Sequence, residues 1–365
     1  MKKSCRLLCL VLAAALFAFG CSTAGGYTAL EYEGYKINEA MYGYWAALYK
    51  RNIVYSYNGG KDTPEFWESE VYSGKTAEEY FTDIVNAQIY KYCIAQKLFD
   101  EYGLKLDKEV IKAIDTDIKE KIEYYGSRAE LNSALASINL NIDLLRQIYI
   151  CEEKLRAVYN YLYGDGGPEE LLDEDYIKFF TDNYYRMKYI VIYTTKLVTD
   201  EKGNYKYDSE GNLMTEPLTA EELAEKQAKA EEALKKAQAG ENFDLLILDY
   251  SEYDTSAYPN GFYVSANELA IYGARIISAL TSMKVGEVRR VDEESAIYII
   301  KKLELPAWEE LTESELVQLA ELADYANAEA FDEKLSELFP KVIANKEVLE
   351  KYRLSKIGML AIPNI

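Results

Sequence analysis

Histidine is missing from all 365 residues. That absence removes nucleophilic systems of the familiar Ser-His-Asp or Cys-His kind, and with them any zinc site built on imidazole. Cysteine is scarce, five residues in all, and shows no metal-type spacing. No GxxxxGK[ST] run appears, so the phosphate cradle of the P-loop is absent too. No cofactor and no metal are expected. Positive charge is also short: without Lys2, Lys3 and Arg6 the 41 Lys+Arg fall to 38 against 62 Asp+Glu, a formal balance of −24. A surface of that sign repels nucleic acid and anionic lipid head groups, and its plain reading is solubility. On the predicted helices the carboxylates read as solvated faces, not as a glycosidase pair. After the first twenty residues no apolar run approaches the roughly 20 residues that span a bilayer.

What is present begins with a leader. Lys2, Lys3 and Arg6 make a basic start, Leu7 to Phe19 an apolar run, and Gly20-Cys21 a small-residue cleavage point; that is secretory signal architecture over residues 1–20. Ala18-Phe19-Gly20-Cys21 resembles a bacterial lipobox, although Phe19 is bulkier than the usual small residue. It implies that Cys21 is acylated and becomes the mature N-terminus, with residues 21–26 a flexible tether. The expected location is extracytoplasmic, lipid-anchored to the outer face of a bacterial cell membrane; secretion without lipid is the alternative. Cys5 and Cys9 leave with the leader, so only Cys93 and Cys151 remain in the folded part. Both fall on predicted helices and read either as buried small apolar residues or as a disulfide formed in an oxidising compartment.

Residues 27–185 carry helical periodicity. Glu31 to Ile37 reads as a short strand, and Asn38 then caps a helix with Met41, Trp45 and Leu48 on one side. Capping boxes open helices at Thr76-Ala77-Glu78-Glu79 and Ser127-Arg128-Ala129-Glu130. Further helices are predicted over Asp107–Tyr125, Ile142–Tyr163 and Asp173–Tyr184, with Gly164 to Pro168 a decisive break. After Pro306 a capping box at Thr312 leads into an apolar stripe, Leu316, Leu319, Ala323, Ala326, Ala330, Leu335 and Leu338. Such a stripe needs a partner surface. The economical arrangement is α+β: a discontinuous helical domain, 27–185 closed by 306–365, with 186–305 inserted. In the insert Lys188–Tyr193 alternates as a strand, Thr219 opens a helix that Gly240 stops, Phe243–Tyr250 follows, and Ala296–Leu303 is a closing strand.

Five stretches of the insert, taken in order, resemble the parvulin family of peptidyl-prolyl cis-trans isomerases. Met187-Lys188-Tyr189-Ile190-Val191-Ile192 is similar to its first strand, and Ala239-Gly240-Glu241-Asn242-Phe243-Asp244 to its glycine, two residues, phenylalanine signature. Tyr250-Ser251 with Thr255-Ser256-Ala257 and Gly261 resembles its serine-rich loop. Ala279 with Val285-Gly286-Glu287-Val288, and then Ile297-Tyr298-Ile299-Ile300-Lys301, are similar to its last helix and closing strand. The helical flanks resemble the wrapping domain of the PrsA and SurA class of extracytoplasmic chaperones.

The resemblance implies a folding factor acting on unfolded exported proteins through X-Pro segments. It places Tyr189 and Tyr298 where the family keeps two histidines, and Asp254 where it has an acidic residue or cysteine, counting Tyr253 as an insertion. The proline slot falls on Tyr272, Ile276 and Met283. Two readings of the tyrosines stay open. Their hydroxyls can replace the imidazoles in a hydrogen-bonded network with Asp254, or they fill space in a domain that no longer turns over. Asp254 in a polar turn can equally be spent on nearby backbone. Tyr42, Trp45, Tyr49 and Trp67 are candidates for a client-holding surface, with ordinary core as the alternative. A different class of function, an envelope lipoprotein assembling with one fixed partner, is also open. The segment Val198–Pro217, with Asp200-Glu201-Lys202-Gly203-Asn204 echoed at 208–212, reads as a surface hairpin; it lacks the twelve-residue loop with terminal glutamate of a calcium site.

Overall fold

The computed structural model describes residues 25–72, 74–207, 213–265, 272–363 and 365. Cys21 and the whole leader lie outside the described residues, as does the second acidic turn at 208–212. Among the described residues no helix is long and apolar enough to cross a membrane. The described chain divides into two compact units, one running up to residue 170 and resuming at 329, the other of residues 171–328.

The first unit starts with a hairpin where one strand was expected. Glu33 and Gly34 both take positive φ, 47° and 90°. That left-handed pair turns β1 (Thr28–Tyr32) back onto β2 (Tyr35–Asn38). Asn38 ends β2 and caps α1 (Glu39–Asn58), its Oδ1 accepting the Met41 N–H at 2.9 Å. The short α2 (Pro64–Glu68) and the hairpin β3 (Glu70–Tyr72)–β4 (Lys75–Thr76) lead to α3 (Ala77–Glu101), which the capping box between Thr76 and Glu79 opens. Then come α4 (Lys108–Tyr125), α5 (Arg128–Ala136) and α6 (Ile142–Tyr163). Trp45 is fully buried, stacked on Tyr92 at 4.5 Å, and its indole N–H donates to Glu152 at 2.8 Å. Cys93 and Cys151 are free buried thiols, each pushed up to about 12 by burial.

The second unit is built on an antiparallel sheet whose order across is β8 (Phe262–Ser265), β5 (Tyr184–Tyr193), β10 (Ala296–Leu303) and β9 (Val288–Asp292). Helix α7 (Asp173–Asn183) runs into β5 (Tyr184–Tyr193), which is longer than the Lys188–Tyr193 alternation suggests. β6 (Thr195–Leu197) and β7 (Thr215–Pro217) pair as a surface hairpin, and Asp200 turns its first tip by accepting the Lys202 and Asn204 N–H groups. Helices α8 (Ala220–Gln238) and α9 (Phe243–Tyr250) follow, then β8 (Phe262–Ser265), α10 (Ala274–Ser282), β9 (Val288–Asp292) and β10 (Ala296–Leu303). Strand side chains alternate between faces. Ile190, Ile192, Ile297 and Ile299 therefore meet Ala230, Ala233, Phe243 and Leu246 of α8 and α9 on one face. Met187, Val291 and Ile300 meet Ile276, Ile277 and Leu280 of α10 on the other.

The chain after Pro306 departs from the expected single return to the N-terminal helices. α11 (Glu313–Gln318) packs on β8, with Tyr263 donating its hydroxyl to buried Glu315 at 2.8 Å. Phe179, Phe180 and Tyr184 bury themselves with Tyr263, Leu319, Leu322 and Ala326. Helix α12 (Leu322–Ser336) runs from the second unit into the first. β11 (Ile343–Ala344) pairs with β1, Leu30 opposite Ala344, and α13 (Lys346–Lys351) follows.

Candidate functional site

Tyr189 and Tyr298 share a face of the sheet. In register Tyr298 lies opposite Val191 and Tyr189 opposite Ile300, so the two tyrosines are diagonal neighbours on β5 and β10. Their rings meet edge to face at 5.6 Å. Both are half-buried and pack with Tyr272 against the core beneath α10. Ile276 and Met283 are buried inside that core and form its interior. All five predicted aromatic and slot residues thus belong to one core. Among the described residues, no hydrogen bond joins the two phenols to each other or to Asp254. Ring packing replaces the network expected of them.

Asp254 stands elsewhere, across a cavity of about 560 Å³ that it shares with Tyr189. The loop after α9 supplies this wall, and Asp254 Oδ1 accepts the Ser256 N–H at 2.8 Å. That bond, with the Ser256 hydroxyl, holds the exposed carboxyl below the ordinary carboxylate value. Tyr189 is raised well above an ordinary phenol, first by burial and then by the surrounding Tyr253, Tyr272, Tyr298 and Tyr193. Tyr298 is raised by burial, then by Tyr193 and Glu293. At neutral pH the site accordingly presents two protonated phenols and one ionised carboxylate. Phenols of this kind donate and accept hydrogen bonds without changing charge.

The cavity floor comes from residues that carried no motif. Phe262 stacks on Tyr189 at 5.0 Å, and Tyr258 meets Phe262 at a tilt, 4.4 Å between centroids. Leu248 of α9, 76% exposed, and the half-open Tyr253 form an apolar rim. The outward-facing leucines in the amphipathic pattern of α9 were the available signal. Around this rim Lys188 pairs with Asp244 at 2.5 Å, and Glu252 is held by Lys226 at 2.6 Å and Lys229 at 3.1 Å.

The aromatics considered for a client-holding surface turn out differently. Tyr42, Trp45 and Trp67 are buried, and Tyr49 is half-buried with its hydroxyl on that of Tyr92 at 2.7 Å. Trp67 donates its indole N–H to Asp62 at 2.8 Å. They are core because each polar tip finds a partner inside the helical unit, which decides for the core alternative over a binding surface.

No family model matches the chain, and no curated protein matches it. Solved structures do. PrsA from Bacillus subtilis is 21% identical, with 78% of this chain and 92% of that chain covered and a TM-score of 0.22. The foldase protein PrsA from Streptococcus pneumoniae is 18% identical, covering 80% and 99%, with a TM-score of 0.26. A peptidylprolyl isomerase (PrsA) from Bacillus anthracis is 16% identical, covering 70% and 95%, also at 0.26. At these identities and TM-scores, function has to be read from the chain's own residues.

Proposed function

We propose that this chain is a membrane-anchored extracytoplasmic folding factor. In this reading residues 186–305 form a parvulin-like prolyl isomerase domain inserted in a helical chaperone domain, and Cys21 carries the lipid. The observation that carries the proposal is the cavity on the open side of β5. An aromatic floor of Tyr189, Phe262 and Tyr258 there faces an ionised Asp254. Rotation about an X-Pro bond meets a barrier of about 18–20 kcal/mol because amide resonance is lost. A site lowers it by binding the twisted amide better than the planar one, with no covalent step. The apolar floor grips the prolyl ring. As resonance is lost, lone-pair density returns to the prolyl nitrogen, and the phenols of Tyr189 and Tyr298 are the donors for it. Asp254 discourages negative charge on the neighbouring carbonyl oxygen, disfavouring the planar, charge-separated amide. Tyr272, Ile276 and Met283 support the slot from behind.

A second reading has the same scaffold binding a fixed envelope partner without turnover. Asp254 favours it, since its carboxylate is already engaged by Ser256. Prolyl cis/trans exchange on a proline peptide separates the two, using the chain from Tyr27 onward, Asp254→Ala, and the double variant Tyr189→Phe with Tyr298→Phe. Acceleration that disappears in the variants supports the isomerase. A rate equal to the uncatalysed one leaves binding alone, and suppression of aggregation of unrelated unfolded proteins then distinguishes a chaperone from a fixed-partner scaffold.

A further inference from the structure

Strand β5 is partnered on both sides for only part of its length. β10 pairs along all but its first two residues, whereas β8 pairs only with Tyr184–Met187. Further on, the loop after α9 closes the same side again. Val191 N–H donates to Ser251 Oγ at 3.3 Å, Val191 C=O accepts the Glu252 N–H at 2.8 Å, and Tyr193 N–H donates to the Glu252 carboxylate at 3.0 Å. Main-chain groups alternate in direction along a strand, so residues 187, 189, 191 and 193 address one side. Tyr189 is the residue left between the two closures. Among the described residues no hydrogen bond reaches its N–H or C=O on that side, and that side is the cavity. Gly261 keeps the near closure tight: at φ +96°, a Cβ there would lie 2.6 Å from the Met187 carbonyl oxygen.

A donor and an acceptor left open on a strand edge are a docking position for another main chain. We propose that client segments enter the cavity as a short added strand, with Tyr189 N–H donating to, and Tyr189 C=O accepting from, a single client residue. This rests on the isomerase reading and names its substrate class: extended segments held by their backbone, with successive side chains turned alternately to the Phe262–Tyr258 floor and the Leu248–Tyr253 rim. Charge does not narrow the class: Lys188 and Asp244 cancel, and the positive charge left over where Lys226 and Lys229 meet Glu252 offsets that of Asp254.

The test titrates the full-length chain with extended proline peptides, each methylated at one backbone nitrogen, and follows exchange of the Tyr189 amide proton by NMR. A lost main-chain hydrogen bond corresponds to about a three- to tenfold change in affinity. The expected result is a loss of that size for methylation at one nitrogen, little at its two neighbours, and slower Tyr189 amide exchange at saturation. Tyr189→Phe keeps the main chain, so it should retain the same methylation profile while losing turnover. Binding with a flat profile and an unchanged Tyr189 amide overturns this docking mode and leaves the isomerase reading standing. Absence of both peptide binding and prolyl exchange removes both.

Discussion

Two sets of aromatics, one in each unit, are spent in opposite ways. In the helical unit Trp45 and Trp67 are buried and each indole N–H is paired, to Glu152 and Asp62; the hydroxyls of Tyr49 and Tyr92 bond each other. In the sheet unit Tyr189 and Tyr298 are half-open and packed ring to ring, Tyr189 lining a cavity, with apolar Leu248 and Tyr253 turned outward. An aromatic whose polar tip is satisfied inside the protein has its work in folding. One with a free tip at the edge of a cavity is available to a ligand. A count of tyrosines cannot separate the two roles; the partner of each hydroxyl does.

The sharpest challenge to this contrast is Trp45→Ala beside Tyr298→Phe. The first deletes a buried indole and strands Glu152, and should cost about 3–5 kcal/mol; the second should cost less than about 1 kcal/mol while lowering turnover. Denaturant unfolding of both variants measures this, and equal losses would end the division of roles.

An intermediate case lies inside the sheet unit itself. Tyr263 is buried, its hydroxyl is given to Glu315, and burial, then that bond, push it up to about 12. Tyr263→Phe should cost about 2 kcal/mol through the lost bond to a carboxylate. Because the folded value lies above the ordinary 10.0, the neutral phenol's stabilisation is complete below pH 10 and fades as pH rises through about 12. Alkaline titration followed by circular dichroism should show a shallower loss over that window in the variant than in the parent chain.

A smaller effect concerns the open tyrosines. Tyr189 and Tyr298 are raised from 10.0 and Asp254 is lowered from 3.8, so none of the three titrates between pH 5 and pH 8. If the isomerase proposal holds, prolyl exchange at this site should vary by less than about twofold across that range, where a histidine-based site would change protonation. A bell-shaped profile centred near pH 6.5 would place the chemistry on some other group. The smallest expected change in stability is that of Leu248→Ser on the rim, within about 0.5 kcal/mol of the parent. Its peptide affinity should nevertheless fall several-fold, as isothermal titration would show.

Long periodic helices with capping boxes were legible in the residues: Ile142–Tyr163 was read to its ends, and Thr76, Thr219 and Thr312 cap as their motifs indicate. Short strands were not. β8 has four residues and β9 carries Arg289 and Arg290, so neither shows the alternation that marks a half-buried strand, and both exist because β5 and β10 offer edges to pair with. For the candidate site, the family resemblance singled out Tyr189, Tyr298 and Tyr272, which the fold brings to one core. It gave no hint of Phe262 or Tyr258, and Leu248 was signalled only as an outward leucine of α9; their meeting depends on where the loop after α9 is laid.

By itself the sequence determined the absence of imidazole chemistry, the acidic surface, the long helices and the strands that carry the two tyrosines, because composition and local periodicity act within a few residues. Tertiary structure alone decided that Trp45 is core and Tyr189 is not. It also decided that residues after Pro306 bury Phe179 and Phe180 before the chain returns to β1, and that β5 keeps one residue of open edge. Those outcomes turn on pairing between positions far apart in the chain, such as Leu30 with Ala344 and Tyr263 with Glu315, which no local pattern encodes.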